Sequence, residues 1–214
     1  MGEADAEPDA VNLAALVERA RNLGPGRVLL GICGAPGAGK STLAGRLVTA
    51  LGDEAVYVGM DGFHLAQVEL ERLGRTARKG APDTFDAAGY VNLLHRLRTE
   101  PTVTVYAPEF RREIEEPIAG AVPVKPEHRI VVTEGNYLLL GTSPWHEVRT
   151  HLTETWFLSP AESVRRERLT ARHRAFGRTL EEARERTLGS DEHNAVLINA
   201  TRPAADLLLT AVLD

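Results

Sequence analysis

The residues best suited to chemistry form a glycine-rich stretch that fits the pattern G-x-x-x-x-G-K-[ST]. The stretch consists of Gly34, Ala35, Pro36, Gly37, Ala38, Gly39, Lys40, Ser41 and Thr42. Backbone N–H groups of such a loop surround phosphates, and its glycines let the main chain approach them without a Cβ in the way. The lysine can reach the outer phosphates, and the hydroxyl of Ser41 or Thr42 can ligate Mg²⁺. The pattern predicts a nucleoside triphosphate site but does not distinguish a kinase from a GTPase or an ATPase.

Two carboxylates, Asp61 and Glu134, stand at the ends of apolar runs that are typical of buried strands. Ligands of open α/β sheets bind outside the carboxyl ends of the strands, so we expect both carboxylates beside the glycine-rich loop. Asp61 is predicted to be the general base that orients or deprotonates an attacking hydroxyl, and Glu134 to hold Mg²⁺ together with Ser41. The structural alternatives are a turn at Asp61-Gly62 and an exposed charge at Glu134.

Arginines are concentrated between residues 165 and 186. The cluster includes Arg165, Arg166, Arg168, Arg172, Arg174 and Arg178. Helical spacing places Arg165, Arg168 and Arg172 on one face, and arginines of a mobile lid can stabilise the charge of a transferring phosphoryl group. We therefore predict a lid at 161–178 with Arg172 as its catalytic arginine. The alternative is a solvated helix whose arginines pair with neighbouring glutamates.

Two further residues are candidates for binding a substrate. His64 follows Asp61 by three positions and is predicted to lie on the substrate side. Asp86 could bind substrate hydroxyls or could equally be the N-cap of the helix that follows it.

The elements that must position these residues alternate between strands and helices. Strands are predicted at 28–33, 55–60, 103–106, 129–135, 155–158 and 205–212, and helices near 13–23, 42–48, 65–73, 87–98, 161–175, 179 onward and 191–200. Residues 1–8 are expected to be disordered and Asp9 to cap the first helix. The proline-rich segment 107–128 is expected to be irregular, with a short hairpin as the alternative. This alternation predicts an α/β fold with a mostly parallel sheet covered on both faces, in a single domain spanning 1–214.

The composition is that of an ordinary globular protein, with 43% hydrophobic residues, 26% charged residues and a net charge of −5. This acidic balance argues against nucleic acid or anionic lipid as a partner. The single cysteine, Cys33, excludes an internal disulfide and a thiolate zinc cluster. No run approaches the roughly 18 apolar residues of a membrane span, and the acidic N-terminus lacks a signal-peptide pattern. We expect a cytoplasmic enzyme with no nucleic-acid or membrane partner.

The classes of enzyme that use this loop can be separated further. A GTPase would carry a guanine-reading N-K-x-D, which is absent, and a motor ATPase would usually be larger. An acid after the second strand and an arginine-rich lid are the layout of a small-molecule kinase. The rival interpretation is a regulatory protein that hydrolyses nucleotide without any small-molecule acceptor.

Six stretches of the chain resemble the phosphoribulokinase/uridine kinase family of P-loop kinases. They are 34–42, 60–64, 78–86, 106–110, 134–137 and 172–178. The chain is most similar to the bacterial nucleoside/nucleotide kinase subgroup, and also resembles pantothenate kinase and a kinase associated with fructose transport. The resemblance implies a three-layer P-loop NTPase fold with a five-stranded, mostly parallel sheet, and ATP and Mg²⁺ as cofactors. It further implies phosphoryl transfer to a hydroxyl of a nucleoside, sugar or pantothenate-like metabolite, and it allows a homodimer.

The same resemblance assigns roles to single residues. It makes Asp61 the catalytic base, places Lys40 and Ser41 on phosphate and metal, and makes Glu134 the acid near the metal. It assigns Asp86 and Tyr106 to the acceptor pocket, and Asn194 and Arg202 to the adenine side.

Two departures from the family pattern bear on the acceptor. Uridine kinases carry Arg-Gly-Arg where this chain has Phe176, Gly177 and Arg178, which argues against a pyrimidine nucleoside. Arg111 replaces an acid that is frequent in relatives, so we place Arg111 in the substrate loop and expect it to favour an anionic acceptor. The sequence does not identify that acceptor.

Overall fold

A five-stranded parallel sheet positions the glycine-rich loop in the computed structural model, which describes residues 11–213. The segment predicted to be disordered, 1–8, and the predicted helix cap Asp9 lie outside the described residues. The N-cap of the first helix is instead Asn12, whose side chain accepts a hydrogen bond from the backbone N–H of Ala14.

The strands fall into one large sheet and two small pairs. They are β1 (Val11–Asn12), β2 (Val28–Cys33), β3 (Ala55–Gly59), β4 (Val105–Arg111), β5 (Glu116–Val124), β6 (Ile130–Gly135), β7 (Glu154–Leu158), β8 (Leu207–Leu209) and β9 (Val212–Leu213). The large sheet has the order β3-β6-β2-β7-β8, and all of its neighbours are parallel. In its register Cys33 pairs with Gly135 and Gly59 with Glu134, so the carboxyl ends of β2, β6 and β3 lie at one edge.

Helices cover both faces of this sheet. They are α1 (Leu13–Arg21), α2 (Lys40–Leu51), α3 (Gln67–Arg72), α4 (Ala87–Thr99), α5 (Val148–His151), α6 (Glu162–Ala175), α7 (Leu180–Leu188) and α8 (Ser190–Asn199). Successive side chains of a strand point to opposite faces. In β6, Val131 packs into a core that contains Tyr90 of α4, and Val132 into a second core that contains Leu47 of α2. The predicted three-layer α/β fold with five parallel strands is confirmed.

The segment 107–128 differs from its prediction, because most of it forms an antiparallel hairpin. Strands β4 and β5 contain seven and nine residues, and their register shifts between Ala107 and Glu109, around Pro108. Each strand of this two-stranded ribbon has one unpaired edge, where a missing proline N–H removes no ladder hydrogen bond. The prolines therefore do not prevent pairing.

The last strand is shorter than the predicted 205–212. β8 contains only three residues, because its partner β7 ends at Leu158, which pairs with Leu209. Val212 and Leu213 leave this sheet and pair with β1. Within residues 11–213 we find no helix with the length and apolar character that crossing a membrane requires.

Candidate active site

The glycine-rich loop connects β2 to α2 in a conformation that requires glycine at several positions. Gly37 and Gly39 have φ angles of +84° and +99°, which L side chains rarely adopt. A Cβ at Gly34 would stand 2.5 Å from the carbonyl oxygen of Leu158, and one at Gly37 would stand 2.6 Å from that of Arg165. The loop is thus held between the end of β7 and the first turn of α6.

Lys40 begins α2 and turns its amino group back into the loop. Its Nζ donates to the carbonyl of Ala35 at 3.2 Å and to Oδ1 of Asn136 at 2.8 Å. Burial lowers the pKa of Lys40, and the nearby charge of Glu134 is the main opposing influence. A phosphate group in the loop would offset this burial cost, because a nearby negative charge favours the ammonium form.

One carboxylate oxygen of Glu134, at the end of β6, accepts hydrogen bonds from two hydroxyl groups. Ser41 Oγ donates to its Oε1 at 2.9 Å and Tyr57 OH donates to the same atom at 2.7 Å. Burial raises the pKa of Tyr57, and the charge of Glu134 raises it further, so the phenol remains a donor. Mg²⁺ usually takes one or two protein oxygens and completes its shell with water and phosphate. The oxygens of Ser41 and Glu134 fit that requirement.

Asp61 follows β3 in a short 3₁₀ turn and faces the loop across a cavity. This cavity of about 500 Å³ is lined by Asp61 together with Lys40, Ser41 and Glu134. Arg112, at the tip of the β4–β5 hairpin, donates from Nη2 to Oδ2 of Asp61 at 3.1 Å. The four side chains that the sequence predicts to be at the site, those of Lys40, Ser41, Asp61 and Glu134, therefore line one cavity, and Arg112 lines it as well.

His64 lines the same cavity in a fixed orientation. Its Nδ1 lies 2.8 Å from the backbone oxygen of Asp61, so this nitrogen carries the proton and donates it. Its ring packs against Phe85 and Phe110, with centroids 4.0 and 4.7 Å away. Burial lowers the pKa of His64, which favours a neutral imidazole.

Four arginines of the cluster fall into two groups. Arg165 is 1% exposed and donates to the carbonyl of Pro36 at 3.1 Å, and Arg168 donates to that of Ala38 at 3.5 Å. These two arginines support the loop through its backbone carbonyls, whereas Arg172 and Arg178 line the cavity. Arg172, the arginine predicted to be catalytic, therefore lies at the cavity, whereas Arg165 and Arg168 of the same helix contact the loop backbone.

The other predicted contact residues do not all converge. Asn194, predicted on the adenine side, lines the cavity that contains Asp61, and its adenine role stays a prediction. Asp86, Tyr106, Arg111 and Arg202 are absent from that lining. Asp86 is the N-cap of α4, where its Oδ1 accepts from the N–H of Gly89 at 2.8 Å. This position favours the capping alternative, and the substrate role of Asp86 stays a prediction.

Three of these residues are exposed at positions away from the cavity. Tyr106 projects outward from β4, Arg202 lies in a surface 3₁₀ turn, and Arg111 pairs with Glu109 at 2.7 Å. Their binding roles also stay predictions. Arg111 is the last residue of β4, whereas Arg112 lies in the turn that follows, and only Arg112 contacts Asp61 among these two arginines.

The residues of this site that the sequence analysis does not single out include Tyr57, Arg112 and Asn136. A signal existed for Asn136, which stands two positions after Glu134 at the same strand end, and for Tyr57, which lies within the strand leading to Asp61. No such signal exists for Arg112, because the direction of its side chain depends on the conformation of the hairpin turn.

A second cavity of about 530 Å³ lies on the opposite side of the loop. Its lining includes Gly39 and Thr42 of the loop, Arg168 of α6, and Thr210 and Ala211 after β8. The loop therefore separates two spaces, one containing Asp61 and the other bordered by Arg168.

No protein-family model matches the chain, but individual proteins and solved structures are similar to it. A Schizosaccharomyces pombe protein provisionally named a uridine kinase is 37% identical over 194 residues, covering 86% of this chain and 83% of that protein. The solved structure of a provisionally named fructose transport system kinase from Silicibacter sp. TM1040 has a TM-score of 0.83 and 37% identity, covering 96% of this chain and 100% of that one. YFH7 of Saccharomyces cerevisiae shares the fold, with a TM-score of 0.84, 18% identity, and coverage of 95% of this chain and 100% of that one.

Proposed function

Because the chain belongs to the uridine kinase-like family of P-loop kinases, we propose that it transfers the γ-phosphoryl group of ATP to a hydroxyl of a small metabolite. The observation that carries this proposal is the shared cavity of Lys40, Ser41, Glu134 and Asp61. Donor phosphates bound at the loop and an acceptor hydroxyl at Asp61 would meet in that space. The acceptor class is a nucleoside, sugar or pantothenate-like metabolite.

The loop and α2 supply the donor side. Backbone N–H groups of the loop and of the helix N-terminus bind the phosphates, and Lys40 neutralises their outer charge. Ala35 and Asn136 hold the lysine in place. The second cavity, beside Arg168, suits the adenosine part of ATP, because it adjoins the loop away from Asp61. Asn194 and Arg202, the residues predicted on the adenine side, do not line it.

Ser41 and Glu134 would hold Mg²⁺, and Tyr57 orients the carboxylate by its hydrogen bond. When bound, the metal neutralises charge on the β- and γ-phosphate oxygens. Within the part of the chain that the structure describes, no cluster of three or more histidine, cysteine, aspartate or glutamate side chains could hold a metal ion. A metal on Ser41 and Glu134 would therefore complete its shell with water and phosphate.

Asp61 performs the proton chemistry. The acceptor oxygen attacks the γ-phosphorus, a new O–P bond forms, and the bond from that phosphorus to the bridging oxygen breaks to release ADP. The hydroxyl proton passes to the carboxylate of Asp61. Arg172 stabilises negative charge on the transferring group from the lid helix.

The test is coupled ADP release measured over a panel of nucleosides, sugars and pantothenate. Release that depends on an acceptor supports the kinase, whereas equal release without any acceptor would support a nucleotide-hydrolysing regulatory protein. Lys40→Ala should abolish the acceptor-dependent signal, because it removes the phosphate-neutralising charge. Lys125→Ala is the matched control, since this lysine is 53% exposed and forms a surface ion pair with Glu127 at 3.7 Å.

A further inference from the structure

Two cations at the hairpin end of the cavity are separate from the phosphate-binding loop. Lys79 comes from the segment between α3 and α4, and Arg112 from the tip of the β4–β5 hairpin. Both lie against the ring of Phe110, with Lys79 Nζ 5.4 Å and Arg112 Cζ 5.8 Å from its centroid.

The segment that carries Lys79 is fixed by contacts of its own. Arg186 of α7 donates to the backbone oxygens of Ala77 and Lys79, each at 3.2 Å. Lys79 Nζ donates to the backbone oxygen of Glu115 at 2.7 Å. The amino group is therefore placed at the cavity by hydrogen bonds from both neighbouring elements.

Each of these two cations lies near one carboxylate among the described residues that line the cavity. The carboxylate of Glu115 is 3.8 Å from Lys79 Nζ and is largely exposed. The carboxylate that pairs with Arg112 is Asp61, the proposed base, at 3.1 Å. The other acids that line this cavity are engaged elsewhere, since Glu134 accepts from Ser41 and Asp191 pairs with His173 at 2.7 Å.

This arrangement gives Arg112 two competing partners when an acceptor enters. While Arg112 donates to Oδ2 of Asp61, that oxygen is less available to the hydroxyl of an acceptor. An anionic group on the acceptor would take the N–H donors of Arg112 and leave Asp61 free to receive the hydroxyl proton. A neutral acceptor would leave the Arg112–Asp61 pair intact.

We infer that the acceptor is a small hydroxylated anion whose carboxylate or phosphate group binds Lys79 and Arg112 while its hydroxyl faces Asp61. The inference rests on the proposed kinase function and specifies the chemical class of its substrate. ATP does not account for these cations, because the loop N–H groups, Lys40 and Arg172 already serve its phosphates.

The first test compares acceptors that differ in one charged group, using the full chain with ATP and Mg²⁺. Glycerate against glycerol and pantothenate against pantothenyl alcohol test a carboxylate, and ribose 5-phosphate against ribose tests a phosphate. We expect at least one anion to exceed its neutral partner roughly tenfold or more in kcat/KM for ADP release, as a charge-assisted contact predicts. Equal or better turnover of the neutral partners would overturn the inference and leave the kinase standing. If no acceptor raises ADP release, the proposed function fails and the inference fails with it.

The second test uses Arg112→Gln and Lys79→Gln with the preferred anion. Each variant should raise the KM of that anion roughly tenfold or more and leave the KM of ATP within about twofold. Arg96→Gln is the matched control for Arg112, because these arginines are 44% and 41% exposed and pair with a carboxylate at 2.9 and 3.1 Å. Equal losses by Arg112→Gln on an anion and its neutral partner would show that Arg112 only positions Asp61, and would overturn the inference.

Discussion

Replacing Arg165 with methionine tests whether this arginine supports the loop or takes part in phosphoryl transfer. The side chain is 1% exposed and donates to Pro36 O at 3.1 Å, to Glu162 at 2.8 Å and to Glu192 at 2.6 Å. Arg165→Met keeps most of the apolar volume but leaves the buried oxygen of Pro36 without this donor. An unsatisfied buried acceptor costs about 1–3 kcal/mol.

The two carboxylates moderate that cost. Glu162 and Glu192 remain 49% and 28% exposed, so water can hydrate them when the guanidinium is removed. We therefore expect the free energy of unfolding to fall by about 2 kcal/mol, well below the loss for a fully buried ion pair. Affinity for ATP should weaken as well, because Pro36 belongs to the loop.

Urea denaturation gives the stability change from the midpoint and slope of the transition. The control is Arg166→Met, which removes a neighbouring arginine that is 45% exposed and contacts Glu192 at 2.8 Å. Loss of an exposed pair should change the free energy of unfolding by less than about 1 kcal/mol. Equal effects of the two substitutions, or unchanged stability with a large loss of kcat in Arg165→Met, would refute the supporting role.

Two further predictions concern the proposed Mg²⁺ ligand Glu134 and the side chain of His64. Tyr57→Phe removes the donor that holds Glu134 and should raise the Mg²⁺ concentration for half-maximal ADP release roughly fivefold, a cost of about 1 kcal/mol; an unchanged Mg²⁺ titration would contradict the orienting role. Burial lowers the pKa of His64 below 6.5, so the unfolded chain binds this proton first as the pH falls. The free energy of unfolding should therefore be highest above about pH 6.5 and decrease towards lower pH, and His64→Gln should flatten part of that decrease in denaturation curves. Equal pH dependence in both proteins would contradict the buried neutral state.

The sheet and the loop could be predicted because their signals are local. Apolar runs buried on both faces mark β2 and β6, and the glycine pattern specifies a loop that accepts no Cβ at Gly34 or Gly37. The ends of parallel strands meet at one edge, so Asp61 and Glu134 could be placed near the loop without knowing any distance.

The hairpin and the arginines could not be predicted in the same way. Pro117 and Pro123 suggest irregular chain, yet they lie in a two-stranded ribbon with unpaired edges. The choice between Arg111 and Arg112 depends on the conformation of the hairpin, because Arg111 ends β4 and Arg112 lies in the turn that follows it. Burial of Arg165 follows from the packing of α6 on the loop, and an arginine in a charged helix carries no local sign of it.

The most direct test of the central claim is acceptor-dependent ADP release by Asp61→Asn. We predict a fall in kcat of roughly a hundredfold or more, with the KM of ATP within about threefold, because a general base contributes that much to proton transfer. Asp53→Asn is the matched control, since Asp53 is exposed in the turn before β3 and Asp61 follows the same strand at its other end. Wild-type turnover of the acceptor by Asp61→Asn would contradict the account.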